Sequence, residues 1–295
     1  MKITLLIVFL LQSLLVFPQT ITVLDEADSA PIAFASVYLL KNNKIAGGAA
    51  CNEKGKATIP NKEYDSLRIT CIGYKNKSVS ANAVTKNIYL SPSQYALNEI
   101  VISNNTTTIA FKGKKGRFLG FSNHMEEVVF FKNTFNKPVG IKQFSIKFES
   151  IPVYSKVRLV MYKVTDSIRH VKPGESLLTK DILFDIEPND GNELVVNLTD
   201  ENLTLPIEGA YIGIESIYSY TINNGKIIES QSVTKFETIE HRPPLYLTNY
   251  RFTDNGWRNI NNEWEAILKN MKSNPDAWRN RKYFLVPDFR LTVYN

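Results

Sequence analysis

Residues 45–74 read IAGGAACNEKGKATIPNKEYDSLRITCIGY, and this stretch decides the fold. An apolar run ends at Cys51. Asn52-Glu53-Lys54-Gly55 has the composition of a tight turn. Ala57 and Ile59 restart an every-second-residue alternation, and Leu67, Ile69 and Cys71 carry it again before Gly73-Tyr74. Side chains two apart line one face of a strand. The stretch therefore reads as a hairpin feeding a third strand. It sits in a small all-β domain ahead of a larger one.

Working outward, Thr20–Leu24 is a first strand and Asp25–Pro31 a turn. Ile32–Leu40 is a second strand, with Ala33, Ala35, Val37 and Leu39 on one face. Asn42-Asn43 turns the chain into the opening stretch, and Val84–Leu90 closes the set. Short strands between turn residues, with no helical period, predict a small sandwich. Gly55 supplies a positive φ in the turn, and Gly73 lets the strand bend.

Three motifs carry a resemblance: Pro31-Ile-Ala-Phe-Ala-Ser-Val37, Asn52-Glu-Lys-Gly-Lys-Ala-Thr-Ile59 and Leu67-Arg-Ile-Thr-Cys-Ile-Gly-Tyr74. Together they resemble the carboxypeptidase regulatory-like domain over residues 20–91. The resemblance implies a prealbumin-like sandwich of about seven strands, common in surface proteins of Gram-negative bacteria and an appended module rather than a catalyst. The same domain precedes the plug of TonB-dependent receptors, through a segment similar to Leu97-Asn-Glu-Ile-Val-Ile102. The residues after Ile102 are too few for a plug and a barrel.

The chain has 295 residues, room for two ordinary domains, and a near-average apolar share that rules against wholesale disorder. Frequent Tyr, Phe, Thr, Val and Ile favour strands. The formal charge of +6 is modest and spread out. Its one cluster, Lys112-Gly-Lys-Lys-Gly-Arg117, reads as a basic linker, and no aromatic-basic interleaving indicates nucleic acid.

Lys2 followed by the apolar Ile3–Leu11 and Leu14–Phe17 has the length of a secretion signal and is short for a membrane span. Cleavage is expected near Pro18–Thr20, with residues 1–19 as the signal peptide. No later segment is apolar enough to stop transfer. The expectation is a mature chain with no transmembrane segment, exported to the periplasm or the cell surface.

Residues 92–118 read as a linker with one strand, and Asn104–Thr108 as its polar, weakly ordered part. From 119 to 295 alternation resumes. Val128–Phe135, Ile141–Phe148, Lys156–Val164, Leu177–Ile186, Leu194–Leu198, Ala210–Ile217, Tyr246–Phe252 and Phe289–Val293 are strand candidates for a jelly-roll-like sandwich. Trp264, Ile267, Leu268 and Met271 fall at helical spacing, predicting one short amphipathic helix over Asn261–Lys272. Arg158–Val164, Pro173–Leu178, Val196–Leu198, Leu205-Pro206 and Tyr211–Glu215 resemble the C-terminal part of exported bacterial proteins that carry the regulatory-like domain. That resemblance implies no activity.

Chemistry-bearing residues are sparse. The histidines are His124, His170 and His241. His124-Met-Glu-Glu127 contains the H-x-x-E of zinc carboxypeptidases. A catalytic zinc needs about three protein ligands, and no second histidine follows in register, so the match reads as chance. There is no G-x-S-x-G. Asp185–Asn192 is an acidic turn whose oxygens could hold calcium, but EF-hand spacing is absent, and the plain reading is a hairpin loop. No metal or cofactor is expected. Trp257, Trp264 and Trp278 with Tyr246 and Tyr250 form a candidate ligand platform for sugar rings, or core and cover residues. Cys51 and Cys71, the only cysteines, are a candidate disulfide in an oxidising compartment or two buried thiols. Asp28-Ser-Ala30, Asp65-Ser-Leu67 and Asp166-Ser-Ile168 resemble the short acceptor motif of bacterial O-glycosylation.

The leading expectation is a non-enzymatic exported protein that binds or assembles at the cell envelope, with an envelope protein or a glycan as partner. A carbohydrate-binding protein using the C-terminal aromatics is the alternative. A hydrolase with an unrecognised site is the second alternative, which a buried carboxylate pair in a cleft of the second domain would revive.

Overall fold

The computed structural model describes residues 19–93, 105–121, 125–164, 173–230, 232, 234–241, 246–250 and 284–295. The chain divides into two compact units, and the regular structure of its described part is strand apart from two three-residue 3-10 turns, as the alternation predicts. The amphipathic segment 261–272 and the signal-like segment 1–18 lie outside the described residues.

The first unit takes its described residues from 19–71 and 75–92. Its seven strands are β1 (Thr20–Asp25), β2 (Ser36–Lys41), β3 (Lys44–Ala50), β4 (Lys56–Thr58), β5 (Ser66–Thr70), β6 (Lys77–Ser80) and β7 (Asn87–Leu90). They form two sheets, ordered β4-β1-β7 and β3-β2-β5-β6. Ile21 and Val23 from one sheet and Val37, Leu39, Leu67 and Ile69 from the other are fully buried. Each set obeys period two, so each sheet buries one face.

The opening stretch is not a hairpin. β3 pairs with β2, whereas β4 pairs with β1 in the other sheet, so the turn between them carries the chain across the sandwich. The Asn52 carboxamide holds that turn, accepting from the Lys54 N–H at 2.9 Å and the Lys56 N–H at 3.1 Å. Gly55 closes it with φ +67° and accepts from the Val23 N–H at 2.8 Å. A Cβ there would lie 2.6 Å from the Val23 carbonyl oxygen. Only glycine fits that conformation and that approach. The second strand also starts later than the alternation suggests, at Ser36, because Phe34 has φ 56°.

The second unit contributes β8 (Thr106–Ile109), β9 (Leu119–Phe121), β10 (Met125–Phe131), β11 (Val139–Ser150), β12 (Tyr154–Val164), β13 (Pro173–Ser176), β14 (Leu183–Ile186), β15 (Glu193–Asn197), β16 (Thr204–Leu205), β17 (Ala210–Asn223), β18 (Lys226–Glu229), β19 (Thr234–Phe236), β20 (Thr238–His241), β21 (Tyr246–Tyr250), β22 (Phe284–Pro287) and β23 (Phe289–Tyr294). One seven-stranded sheet runs β13-β12-β17-β10-β21, with β14 added on β12 and β18 on β17. The other runs β8-β23-β11-β19-β9, with β15 and β16 on β11, and β20 pairs with β22. Val129, Leu159 and Ile212 of the first meet Phe144, Ile146 and Leu291 of the second in one core. Phe236 sits at its aromatic centre, with Phe121, Phe148 and Phe289 at centroid distances of 5.0, 5.6 and 5.4 Å. Tilted and edge-on contacts of this kind add to area burial.

Three expectations change here. Thr106–Ile109 is a strand paired with β23, where the sequence reads as weakly ordered linker. Leu177–Ile186 is not one strand. It is an irregular connection from β13 into β14 along one edge of β12, bonded to β12 at both ends through Leu177 N–H to Met161 O and Leu159 N–H to Ile182 O. The strand expected over Val128–Phe135 stops at Phe131 because Asn133 turns inward. Its amide donates to the carbonyls of Lys137, Leu205 and Pro206.

Candidate interaction surface

Alternation gives β12 two faces. Val157, Leu159 and Met161 point into the core. Tyr154, Lys156, Arg158, Val160 and Tyr162 therefore share the opposite face. In β17 the outward set begins as Tyr211, Gly213 and Glu215, opposite Tyr162, Val160 and Arg158. The register then shifts, with Val157 opposite Ser216 but Lys156 opposite Tyr218. Ile217 is the extra residue, a bulge that changes the phase so that Tyr218 and Tyr220 join Glu215 on the outer face.

Across the middle of this face runs a row of charge. Glu126 of β10 lies opposite Glu215, and Glu215 opposite Arg158. Their exposures are 1 %, 4 % and 2 %, so their charges need partners. Arg158 Nη1 donates to Glu215 Oε2 at 3.0 Å and Nη2 to Asp181 Oδ2 at 3.0 Å. The Tyr162 hydroxyl donates to Glu126 Oε1 at 2.6 Å. Here are the neighbouring buried carboxylates that a hydrolase would need. One oxygen of each is engaged, Glu215 Oε2 by the Arg158 guanidinium and Glu126 Oε1 by the Tyr162 phenol.

On one side of the row Val128, Phe130, Val160 and Tyr211 form a small apolar cluster. Burial holds the Tyr211 hydroxyl well above the ordinary tyrosine range. On the other side lie three tyrosines. Tyr154 and Tyr220 stack with centroids 5.2 Å apart and planes at 16°, and Tyr218 lies 5.6 Å from Tyr220. Lys156 Nζ meets Asp185 Oδ2 at 2.7 Å beside them. Burial is the largest single influence and works against the Lys156 charge, but the Asp185 hydrogen bond and the charges of Asp185, Tyr218 and Tyr220 together outweigh it and raise the lysine above its usual range. Burial, then the Asp185 charge, raises Tyr220.

The face ends in a hairpin. β17 turns through Asn224 (φ 48°) and Gly225 (φ 72°) into β18, with Asn223 opposite Lys226, Ile222 opposite Ile227 and Tyr220 opposite Glu229. A two-residue Asn-Gly turn with both φ positive matches strand twist. Ile222, Ile227 and Ile228 are 53 %, 68 % and 48 % exposed. Ile222 and Ile227 stand on the tyrosine side, and Ile228 on the other. The isoleucines and the tyrosine ladder were not singled out from the sequence. Asn224-Gly225 between alternating residues was the available sign of the hairpin.

Of the residues singled out, Trp257, Trp264, Trp278, His124 and His170 lie outside the described residues. Tyr246 and Tyr250 lie on β21, in register with Val129 and Met125. His241 ends β20 opposite Phe284. Asp185–Asn192 is not a hairpin loop, since it leads from β14 in one sheet to β15 in the other. Asp190 accepts the Glu187 N–H at 2.7 Å within that turn. Among the described residues no three His, Cys, Asp or Glu side chains are grouped to hold a metal. Cys51 and Cys71 are not joined by a disulfide. Cys51 is buried, which lifts its thiol to about 12, and Cys71 is half-buried just past the end of β5. The cluster at Lys112–Arg117 is stitched to β20. The Gly116 N–H donates to Thr238 O and the Glu240 N–H to Lys114 O. Lys115 Nζ meets Glu149 at 2.9 Å and Glu237 at 2.8 Å.

Residues 22–102 match the CarboxypepD_reg-like domain, so the first unit carries that domain from within β1 through β7. The match also takes in Leu97–Ile102. No curated protein and no solved structure matches the chain.

Proposed function

We propose that this is a non-enzymatic exported protein of the cell envelope, in which the second sandwich binds a partner protein through the β17–β18 hairpin. The observation that carries the reading is the exposed pair Ile222 and Ile227, opposite each other on the hairpin and on the side of the ladder of Tyr154, Tyr218 and Tyr220. Single exposed apolar residues are ordinary, but two paired across a hairpin beside tyrosines form a patch, and Ile228 adds exposed apolar surface on the reverse face. Fully burying one isoleucine gains roughly 1.5–3 kcal/mol relative to leaving it exposed. The hairpin core does not use that energy, and a partner would. Tyrosines with an apolar body and a polar tip are common in such contacts.

At this hairpin Tyr154 and Tyr220 turn one face each toward the other, which suits a protein contact better than a sugar ring. The carbohydrate alternative concerns other residues, of which Trp257, Trp264 and Trp278 lie outside the described ones. Export rests on Lys2 and the apolar run after it, and on the surface-protein setting of the regulatory-like domain. Among the described residues no helix is long and apolar enough to cross a membrane.

A photo-crosslinking residue at Ile227, with the exposed Val195 on β15 as a control, tests the reading in intact cells. A discrete adduct from position 227 in the envelope fraction, weakened by Ile222→Lys, is expected. Adducts of equal yield from both positions, or a chain confined to the cytoplasm, would sink it. A hydrolytic activity that disappears in Glu126→Gln and Glu215→Gln would replace it with an enzymatic one.

A further inference from the structure

The three Asp-Ser-aliphatic motifs are not equivalent in the fold. Asp166-Ser167-Ile168 lies outside the described residues. The other two belong to the first unit and differ in almost every respect that a modifying enzyme would sense. We infer that Ser29 is O-glycosylated, its hydroxyl receiving a sugar from an activated glycosyl diphosphate. The inference rests on the export proposed above, which would bring the chain to the transferase.

Ser29 stands in the turn after β1, where residues 26–31 are all exposed. The turn is closed by its own bonds. The Ala27 N–H donates to Asp25 Oδ1 at 2.7 Å, and the Ala30 N–H to Asp28 Oδ1 at 2.8 Å. The Ser29 N–H donates to Asp25 O at 3.0 Å, and the Asp25 N–H to Ala30 O at 2.8 Å. None of these bonds uses the Ser29 hydroxyl. With φ 61° the residue sits in the left-handed region at the turn. Asp28, Ser29 and Ala30 thus protrude together, and an enzyme can take the motif without opening a sheet.

Ser66 is held in the opposite way. It begins β5, an interior strand, with Leu40 opposite on one side and Ser80 on the other. Asp28 bonds within its own turn, whereas Asp65 ties its motif to the β2–β3 turn, accepting the Asn42 N–H at 2.6 Å and lying 3.3 Å from Lys41 Nζ. A transferase would have to unpair two strands to seat this motif. The same three-residue pattern is therefore available at one site and closed at the other.

The reaction is a simple displacement. Ser29 Oγ attacks the anomeric carbon of the donor and forms the Oγ–C1 bond. The bond from C1 to the diphosphate oxygen breaks, and the diphosphate leaves with its electron pair. The serine proton passes to a base of the transferase. Nothing is oxidised or reduced.

The test uses full-length chain purified from its own cells after fractionation, with intact mass and glycopeptide mapping on the same material. Alanine at φ 61° is a strained choice, so Ser29→Asn is run beside Ser29→Ala, since asparagine tolerates that conformation. The expected result is an exported chain heavier than both variants by one or more sugar residues, with the sugar on the peptide containing Ser29 and unaffected by Ser66→Ala. An exported chain with a bare Ser29, or with the sugar on Ser66 instead, overturns this inference alone. A chain found only in the cytoplasm overturns the export reading and takes this inference with it.

Discussion

Arg158 donates to Glu215 at 3.0 Å across neighbouring strands while both are nearly sealed from water. The second fork of the guanidinium reaches Asp181 on the connection between β13 and β14. One cation therefore fastens β17 and that connection to β12. Removing it would leave two carboxylates in a dry setting, which costs about 3–5 kcal/mol when a buried pair is broken. Arg158→Ala is expected to lower the stability of the second unit by that amount. Arg158→Lys should recover only part of it, since an ammonium lacks the planar fork. Full recovery in the lysine variant would show that a point charge suffices. Urea unfolding followed by tyrosine fluorescence reads both.

Gly55 gives the second prediction. Alanine at φ +67° carries backbone strain, and its Cβ would press on the Val23 carbonyl, which belongs to the central strand of a sheet and cannot yield cheaply. Gly55→Ala should destabilise the first unit by roughly 1–3 kcal/mol. Cys51, four residues earlier and buried, is a reporter, because its alkylation requires opening of the unit. Faster labelling than in the parent chain is expected, and an unchanged rate would refute the strain argument.

Period-two alternation made the strands of the first unit legible except β6, whose Lys77–Ser80 carries no apolar alternation, and made the Gly55 turn legible with them. Partnership was not legible. Nothing in Lys56–Thr58 tells that it pairs with β1 rather than β3, because that choice depends on how two sheets close over one core. Ile217 hid the tyrosine face for a related reason. A single inserted residue reverses inside and outside, and sequence spacing alone separates Glu215 from Tyr218 and Tyr220. The carboxylates of β10 and β17 lie far apart in the chain and meet only through register. Of the residues singled out for a ligand platform, the three tryptophans lie outside the described residues, while the exposed isoleucines carry no chemical motif to attract notice.

The basic cluster Lys112–Arg117 supplies the third prediction. Its glycines matter more than its charges. A Cβ on Gly113 would fall 2.2 Å from the Glu240 carbonyl oxygen, and one on Gly116 2.6 Å from Thr238 Oγ1. The first obstacle is backbone and cannot swing aside, so Gly113→Ala should cost more than Gly116→Ala. Lys112→Ala and Lys114→Ala should stay within about 0.5 kcal/mol, as exposed substitutions do. Thermal unfolding of the four variants ranks them. Lysine variants that matched the glycine variants would return the cluster to an electrostatic role.

Cys51 ties a titration to the stability of the first unit. Burial raises its thiol from 9.0 to about 12 in the folded chain. Between those values the unfolded chain gives up its proton while the folded chain keeps it. The unfolded state is therefore favoured as pH rises. The contribution is fully present below pH 9.0 and is lost between pH 9.0 and about 12. The slope within that window is about 1.4 kcal/mol per pH unit from this one group. Tyr211 is raised from 10.0 by burial too, but it belongs to the second unit, so the first unit's transition is the one to follow. Cys51→Ala should flatten the stability of that unit between about pH 9 and 10 relative to the parent, while leaving the profile below about pH 8 parallel. The same burial should leave Cys51 slow to alkylate at about pH 8 in the native chain. A parent chain and a Cys51→Ala variant with identical slopes above about pH 9 would mean that the thiol is solvated, or bonded to Cys71, in the protein as made. Alkylation with and without reduction separates those two cases.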